Sequence, residues 1–246
     1  MNFFRADLHI HTVLSPCGDL EMSPVNIVSE AAMKGLDIIG ITDHNTTRHC
    51  ELINKLAAEK GIFVMQGAEV TTKEEVHCLA FFENTDALKK FQEFLDHNLP
   101  EIMNDPTKFG YQVQVDENDN VVYEEKKLLI NAISKSLEET EAFTHSMNGI
   151  FIPAHINRKK NSIYSQLGLL PGNLNADALE VSKATTPEQF ASIHPEINAF
   201  PLIRNSDAHW PGDIGTAFTV FFLKKPSFAE IRLALKGDNG RKIIVE

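Results

Sequence analysis

The stretch FFRADLHIH, residues 3–11, is rich in apolar residues and ends in two histidines separated by one residue. Its compact apolar run predicts a strand over Phe3–His9 that is covered on both faces. A spacing of two residues places the imidazoles of His9 and His11 on the same side of an extended chain. The stretch therefore predicts a buried strand with two metal-type ligands at its carboxyl end.

Seven further segments share this compact apolar character and alternate with helical patterns. The predicted strands are Asp37–Thr42, Ile62–Glu69, Val76–Phe82, Gly149–Ala154, Ala178–Val181, Phe200–Arg204 and Ala217–Leu223. The helices have readable ends: Ser23-Pro24 begins one that Gly35 stops, His49–Lys60 ends at Gly61, and Thr186 and Ser227 begin capping boxes. This alternation predicts an α/β fold with a parallel sheet, either open or closed into a barrel.

One more polar segment, residues 83–148, interrupts this alternation. It predicts a helix over Asp86–Asn104, a hairpin of Tyr111–Val115 and Val121–Tyr123, and one or two further helices. We therefore expect a main domain of residues 1–82 and 149–246 with an inserted α/β cap of residues 83–148. The insertion reads equally well as a solvated excursion and as a lid that selects substrate.

Composition limits which binding partners and which cellular compartment are expected. The 246 residues carry a formal net charge of −11, and the densest basic run is only Arg158-Lys159-Lys160. This balance predicts that duplex nucleic acid is not a partner. Three widely spaced cysteines predict reduced thiols rather than disulfides. With no signal peptide and no apolar stretch of membrane-spanning length, we expect a cytoplasmic protein without a membrane partner. The oligomeric state stays open.

Histidines and carboxylates follow successive predicted strands at their carboxyl ends. These residues are His9, His11, Asp43, His44, Glu69, His155, Asp207 and His209. In barrels and in open α/β sheets, side chains at those ends meet on one face. Imidazole and carboxylate ligands suit Zn, Mn and Fe. A carboxylate such as Glu69 can also bridge two metals about 3.5–4 Å apart, the arrangement used in phosphoester hydrolysis.

Six short motifs, taken in order, resemble those of the PHP (polymerase and histidinol phosphatase) family. They are Asp7-Leu8-His9-Ile10-His11, Ile41-Thr42-Asp43-His44, Gly67-Ala68-Glu69, Val76-His77-Cys78, Pro153-Ala154-His155 and Ser206-Asp207-Ala208-His209. The resemblance covers most of the chain outside residues 83–148. It implies a distorted (β/α)7 TIM-like barrel with two to three divalent transition metals (Zn, Mn or Fe) at the carboxyl face.

The resemblance also implies a ligand for each metal. His9 and His11 would hold the first metal with Glu69 and Asp207, and Glu69 would bridge to a second metal held by His77 and His155. His44 and His209 would hold a third metal, so the centre would be trinuclear. The family often supplies a further ligand soon after the paired histidines, and Asp19 is the candidate for it.

Other polar residues near these motifs have less certain roles. Asp7 and Asp43 could each orient an imidazole, although a buried polar group explains Asp7 equally well. Cys17 is interpreted as a small loop residue, because no separate base is implied for it. Four histidines away from strand ends are expected at the surface: His49, His97, His145 and His194.

The chemistry favoured by these residues is phosphoester hydrolysis by direct attack of metal-activated water. Arg158 and Lys183 would position the phosphate. A metal-bound water would supply the proton for the leaving group, and His209 is the alternative source. The substrate classes are phosphomonoesters, nucleotides and short oligonucleotide ends. Two other hypotheses remain open: amidohydrolase-like C–N hydrolysis, which also uses a His-x-His pair, and a noncatalytic metal-binding regulatory module.

Overall fold

A computed structural model describes residues 1–245, and its centre is one curled, seven-stranded sheet. The strands are β1 (Asn2–Ile10), β2 (Ile38–Ile41), β3 (Phe63–Thr71), β4 (His77–Phe82), β5 (Val113–Val115), β6 (Val121–Glu124), β7 (Ile150–Pro153), β8 (Leu179–Glu180), β9 (Leu202–Ile203), β10 (Thr219–Leu223) and β11 (Lys242–Ile244). The main sheet has the order β11-β10-β1-β2-β3-β4-β7, and β8 pairs with β9 in a parallel pair of its own.

Eight α-helices connect these strands. They are α1 (Pro24–Met33), α2 (Cys50–Glu59), α3 (Thr85–Asn98), α4 (Pro106–Phe109), α5 (Leu137–Ser146), α6 (Ile163–Leu167), α7 (Pro187–Ile193) and α8 (Phe228–Lys236) within residues 1–245. Short 3-10 turns occur at Pro195–Ala199, Pro211–Asp213 and Asp238–Gly240. The α/β class expected from the sequence is confirmed. No helix among the described residues combines the length and apolar character needed to cross a membrane.

The sheet is mixed, which corrects the expectation of a parallel sheet. β1, β2 and β3 run parallel, whereas β4 is antiparallel to β3, β7 to β4, and β10 to β1. The physical reason is clearest at β4. Only five residues separate Thr71 from His77, too few for a parallel crossover, which needs a dozen or more. The two strands therefore form a hairpin.

This hairpin determines which end of β4 lies beside the carboxyl ends of the parallel strands. Thr71, the last residue of β3, is paired with His77, the first residue of β4. His77 therefore lies at the carboxyl edge of the neighbouring strands although it begins its own strand.

Apolar side chains cover both faces of the sheet, as the compact runs predict. Leu8, Ile38 and Phe81 belong to one buried cluster, and their neighbours Ile39 and Phe82 belong to another on the opposite face. Each large side chain buried in this way stabilises the fold by roughly 1.5–3 kcal/mol. Because apolar side chains cover both faces of the sheet, the polar side chains of a site can gather only at the ends of the strands.

Most predicted helix ends agree with the structure. The Ser23 side chain accepts from the backbone N–H of Asn26 at the start of α1, and Thr186 forms a capping box with Gln189. At α8 the box is incomplete. Ser227 caps the helix, but the Glu230 carboxylate accepts from the backbone N–H of Lys224 and from Arg241 instead.

Residues 83–148 leave the sheet after β4 and return to it at β7, and these two strands pair directly. The predicted helix over Asp86–Asn104 ends earlier, at Asn98, because Pro100 disfavours helical geometry in the residue before it. Phe91 of α3 packs in the same buried cluster as Phe82. The first part of the segment is therefore packed against the sheet, while the hairpin β5–β6 stands apart from it.

Candidate metal centre

Glu69 is the hub of a buried cluster at the carboxyl ends of the parallel strands. Its Oε1 lies 2.9 Å from His77 Nδ1, 2.9 Å from His155 Nε2 and 3.3 Å from His9 Nε2. Its Oε2 lies 3.1 Å from His44 Nδ1 and 3.4 Å from His11 Nε2. Glu69 itself is 1% exposed. One carboxylate thus faces five imidazoles brought together from different strands.

Asp207 and His209 extend this cluster toward the surface. Asp207 Oδ1 lies 3.5 Å from the Nε2 atoms of both His9 and His11. His155 and Asp207 both have positive φ angles, of 29° and 53°. Non-glycine residues rarely adopt this conformation, and it occurs preferentially where function requires it.

The donor atoms fit a multinuclear metal centre. Three groups have ligand atoms within 4.8 Å of one another: His9, His11 and Glu69; His44, Glu69 and His77; and His11, His44 and His209. His44 Nδ1 is buried without a hydrogen bond, although it lies 3.1 Å from Glu69. Convergent nitrogen and carboxylate donors of this kind suit Zn, Mn or Fe.

Glu180 orients the first histidine, and the sequence analysis missed it. His9 Nδ1 lies 3.0 Å from Glu180 Oε2, which leaves His9 Nε2 facing Glu69. The same carboxylate accepts from Asn205 Nδ2 and from the backbone N–H of His155. Such outer partners fix the tautomer of a metal-binding imidazole. The feature of the sequence that could have revealed Glu180 is a carboxylate inside the apolar run Ala178–Val181.

A second chain of hydrogen bonds orients His11. His11 Nδ1 lies 3.0 Å from Ser15 Oγ, which donates to Asp43 Oδ1 at 2.6 Å. Asp43 also accepts from the hydroxyl of Thr12, which lies 2.6 Å from His49 Nδ1. Asp43 thus reaches an imidazole through Ser15 rather than directly.

His49 links this chain to the inserted segment. Its Nε2 accepts from the backbone N–H of Val115 in β5 at 3.0 Å. His49 is fully buried, so its expected surface position is wrong. Its place at the start of α2, directly under the hairpin β5–β6, could not be seen from spacing alone.

Asp7 holds the loop that carries Asp207. Its carboxylate accepts from the backbone N–H and the hydroxyl of Ser206 and from the backbone N–H of Gly215. Burial raises the pKa of Asp7 to about 6, although these hydrogen bonds oppose the rise. Of the two roles considered for Asp7, the structure therefore favours anchoring a loop over orienting an imidazole.

The charges of the cluster are strongly interdependent. Burial disfavours ionisation of Glu69, but the surrounding histidines, led by His77, hold its pKa well below the usual range. Burial also lowers the pKa of His9, but Glu180 and Glu69 outweigh that effect and raise it well above its usual range. At His44 burial prevails and the pKa is lowered. A buried group of carboxylates and imidazoles with these opposing pKa shifts favours a cation bound among them.

A cavity of about 220 Å³ opens over the cluster. Its lining includes, besides cluster members, Cys17, Ile130, Arg158, Lys160 and Asn161. Arg158 pairs with Asp207 through Nη1 and Oδ2, which places a guanidinium at the rim. Lys160, a second cation in the lining, was noted in the sequence only as part of a basic run. Ile130 comes from the inserted segment.

Two predicted site residues lie outside these groups. The Lys183 ammonium is 3.4 Å from Asp213 Oδ1 and is not part of the cavity lining. Asp19 accepts from the backbone N–H of Glu21, and its own N–H donates to the carbonyl of His209. The thiol of Cys17 lies 3.1 Å from His209 Nε2. Burial lowers the pKa of His209 to about 4.

Comparison with known proteins agrees with this arrangement. The PHP domain model matches residues 7–158. The chain is 27% identical over 275 residues to the uncharacterized protein YqxK of Bacillus subtilis, covering 99% of this chain and 65% of that protein. The chain thus spans less than two thirds of the length of that relative.

Two solved structures share the fold. The lesion-specific endonuclease Q of Pyrococcus furiosus has a TM-score of 0.73 at 24% identity, covering 98% of this chain and 58% of that chain. A Bifidobacterium adolescentis protein, provisionally described as a metal-dependent phosphoesterase, has a TM-score of 0.63 at 20% identity, covering 95% of this chain and 96% of that chain. The PHP-type barrel expected from the sequence is confirmed.

The exclusion of duplex nucleic acid is wrong. An endonuclease Q with the same fold, at a TM-score of 0.73, has been solved in complex with a 27-mer duplex substrate that carries an abasic lesion at the active site. The net charge of −11 is a sum over the whole chain, whereas phosphate binding depends on the local field. Arg158 and Lys160 give the cavity rim a local positive charge that the sum conceals.

Proposed function

Because this chain belongs to the PHP domain family, we propose that it is a metal-dependent hydrolase of phosphoesters. The observation that carries the proposal is the convergence of five imidazoles on Glu69 beneath a cavity whose rim holds Arg158 and Lys160. Metal-type donors and phosphate-type donors therefore face the same space.

The ligand atoms support one assignment of metals to residues. His9, His11, Glu69 and Asp207 would hold one ion, and Glu69 would be shared with a second ion at His77 and His155. The third would be held by His44 and His209, whereas Asp19, the further ligand suggested by the family, lies outside the groups of converging donors. When bound, such ions stabilise negative charge on phosphate oxygens and lower the pKa of a water nucleophile. Zn, Mn and Fe all suit these donors.

The remaining side chains bind and orient the substrate. Arg158 projects from the turn after His155, and its planar guanidinium can donate two hydrogen bonds to a phosphate. Lys160 adds a second positive charge on the same rim. Lys183 lies farther out, where it would contact only a larger substrate.

His209 belongs with the ligands rather than with the proton donors. Its Nδ1 lies 3.0 Å from the carbonyl oxygen of Asp207, to which it can donate, so Nε2 presents a lone pair to the cavity. We therefore assign the proton for the leaving group to solvent rather than to this imidazole. We assign the attack to water, without a covalent enzyme intermediate, because the imidazole beside the Cys17 thiol, His209, is itself proposed as a metal ligand and so is not free to act as its base.

We further propose that residues 1–82 and 149–246 form the catalytic barrel and that residues 83–148 are a cap over it. Ile130 in the cavity wall and the Val115 contact to His49 support this division. The free thiols of Cys17, Cys50 and Cys78 agree with a reducing, cytoplasmic setting. The substrate class comprises phosphomonoesters, nucleotides and phosphodiesters of nucleic acid strands.

A substrate screen with matched variants tests the proposal. Protein reconstituted with Mn or Zn is assayed on phosphomonoesters, nucleotides, single and duplex oligonucleotides, and cyclic amides. His9→Ala and Glu69→Ala are compared with Lys224→Ala, a surface control. We expect phosphoester hydrolysis that needs metal and is lost in the first two variants only. Hydrolysis of amides alone favours the C–N hydrolase, and metal binding without turnover favours a regulatory module.

A further inference from the structure

We propose that Cys17 is a thiolate ligand of the metal position formed by His44 and His209, and that this position selects a thiophilic ion such as zinc. The inference rests on the proposed metal-dependent function and names a ligand that neither the family comparison nor the sequence analysis assigns. It replaces the carboxylate of Asp19 with a sulfur donor at that position.

The first observation is the approach of two donor atoms. Cys17 Sγ lies 3.1 Å from His209 Nε2. Because His209 Nδ1 can donate to the carbonyl of Asp207, Nε2 is the nitrogen whose lone pair is available. A sulfur and an unprotonated imidazole nitrogen thus converge at the cavity wall, as they do around a tetrahedral metal.

The second observation is an open place in the ligand set. His44 and His209 are the two protein ligands proposed for this ion, their donor atoms lie within 4.8 Å of each other, and a tetrahedral ion takes its remaining donors from protein or water. His44 Nδ1 is buried and makes no hydrogen bond. Asp19 does not line the cavity that His44 and His209 line, and its carboxylate accepts from the backbone N–H of Glu21. Cys17 lines the same cavity as His44 and His209.

The loop around Cys17 holds the thiol at this place. The backbone N–H of Gly18 donates to the carbonyl of Ser15 at 2.9 Å, and that of Asp19 donates to the carbonyl of His209 at 2.9 Å. A Cβ at Gly18 would come within 2.4 Å of the Thr12 carbonyl oxygen. The loop is therefore tied directly to the segment that carries His209.

The other two cysteines serve as internal controls. Cys50 and Cys78 are fully buried, and their thiols lie 3.3 Å and 3.7 Å from the carbonyl oxygens of Gly67 and Val70. Cys17, in contrast, is exposed at the rim. A thiol-specific signal that depends on metal can therefore be assigned to Cys17.

Cobalt and zinc provide a test that does not depend on activity. The full chain is reconstituted with Co²⁺, and its near-ultraviolet spectrum is recorded for wild type, Cys17→Ala, Cys17→Asp and Cys50→Ala. We expect a thiolate-to-cobalt charge-transfer band in wild type and in Cys50→Ala that both Cys17 variants lose. Metal content should fall by about one ion per chain in Cys17→Ala, and Cys17→Asp should recover that ion without the band.

Thiol labelling gives a second readout on the same samples. In metal-free protein Cys17 should react quickly with a disulfide reagent, and zinc should protect it. Cobalt that binds without a charge-transfer band, or a thiol equally reactive with and without zinc, overturns the assignment of Cys17 and leaves the metal centre intact. If no cobalt binds at all, the metal centre of the proposed function fails, and this assignment fails with it.

Discussion

The ligand cluster and two cations outside it, Arg158 at the cavity rim and Lys183 beyond the rim, are built in opposite ways. Glu69 is 1% exposed and is surrounded by five imidazoles, and partners such as Glu180 orient those imidazoles in turn. The side chains of Arg158 and Lys183 are 49% and 44% exposed, and each has one acidic partner. The cluster is fixed by many mutual contacts, whereas Arg158 and Lys183 each depend on a single ion pair.

This difference indicates where a substitution can be tolerated. A buried charge that loses its partner has no water to replace it, so the cost is large. An exposed cation that loses its partner is solvated, and such pairs contribute at most about 1 kcal/mol. The effects of substitution should therefore fall steeply from Glu69 outward to Lys183.

Glu69→Gln should have the largest effect. The amide removes the negative charge that faces five imidazoles and cannot bridge two ions. We expect kcat/KM to fall by well over roughly 100-fold, beyond the range for outer residues, and bound metal to decrease. Kinetics and elemental analysis measure both, with the exposed Glu59→Gln as control. A variant with full metal content and activity contradicts the role of Glu69 as hub.

Glu180→Gln should weaken metal binding by roughly 10–100-fold, the range typical of residues that orient ligands. The Glu180 carboxylate accepts from His9 Nδ1 and from Asn205 Nδ2, and a glutamine amide would turn a donor toward one of these donors. Titration against a competing chelator measures the change. If affinity is unaltered, His9 is held in place by the barrel alone.

Metal-free protein should lose stability as the pH rises above neutral. Burial lowers the pKa of His9, but the charges of Glu180 and Glu69 outweigh that effect and raise the pKa well above 6.5. A group whose pKa is higher in the folded than in the unfolded protein stabilises the fold fully at pH values below its unfolded-state pKa. This stabilisation is lost as the pH rises through the folded-state pKa. The unfolding constant should increase about tenfold per unit of pKa shift.

Urea unfolding in the presence of a chelator, repeated over a pH series, measures this dependence. Metal-loaded protein should show little of it, because bound ions replace the protons. The same series on His9→Asn isolates the contribution of that imidazole. If the stability of the metal-free protein does not change with pH above 6.5, the proposed effect of Glu180 and Glu69 on the pKa of His9 is wrong.

Arg158→Ala should lower kcat/KM about tenfold, the effect of one hydrogen bond to a charged group, mainly through KM. Metal content should stay unchanged, because Arg158 is outside the ligand set. Arg158→Lys keeps the charge but not the paired donors, so it should recover activity only in part. A loss of metal instead would indicate that the pairing with Asp207 is the main role of this residue.

Lys183→Ala should have the smallest effect, less than about twofold on either kcat or KM for a small substrate. Its ammonium is paired with Asp213 outside the cavity. Parallel kinetics with Arg158→Ala provide the comparison. Equal losses in the two variants would show that the rim extends farther from the cluster than the cavity does.

The hydrophobic pattern alone identified much of the barrel. Compact apolar runs located β1, β2, β3, β4, β7 and β10 to within a few residues, since a strand packed on both faces must be apolar throughout. The short strand β11 was missed, because Lys242–Ile244 has too few residues for a clear pattern. Strand direction was also missed, because an apolar run has the same pattern in either direction.

Residue type and order were sufficient to identify the histidines and carboxylates that the fold brings together. His9, His11, His44, Glu69, His155, Asp207 and His209 follow strand ends in the sequence, and the fold brings strand ends together. The local pattern therefore determined the α/β class and the donors available to a metal, whereas the choice of a barrel over an open sheet came from the resemblance to the PHP family.

Only the tertiary structure decided how these donors are oriented and what lies beside them. Glu180 and His49 are distant in sequence from the groups they face, His9 and Val115, and no local pattern records such contacts. The choice between Asp19 and Cys17, two residues apart, depended on the path of one loop. Side-chain direction at close range is set by packing and hydrogen bonding across the fold, which a linear pattern does not contain.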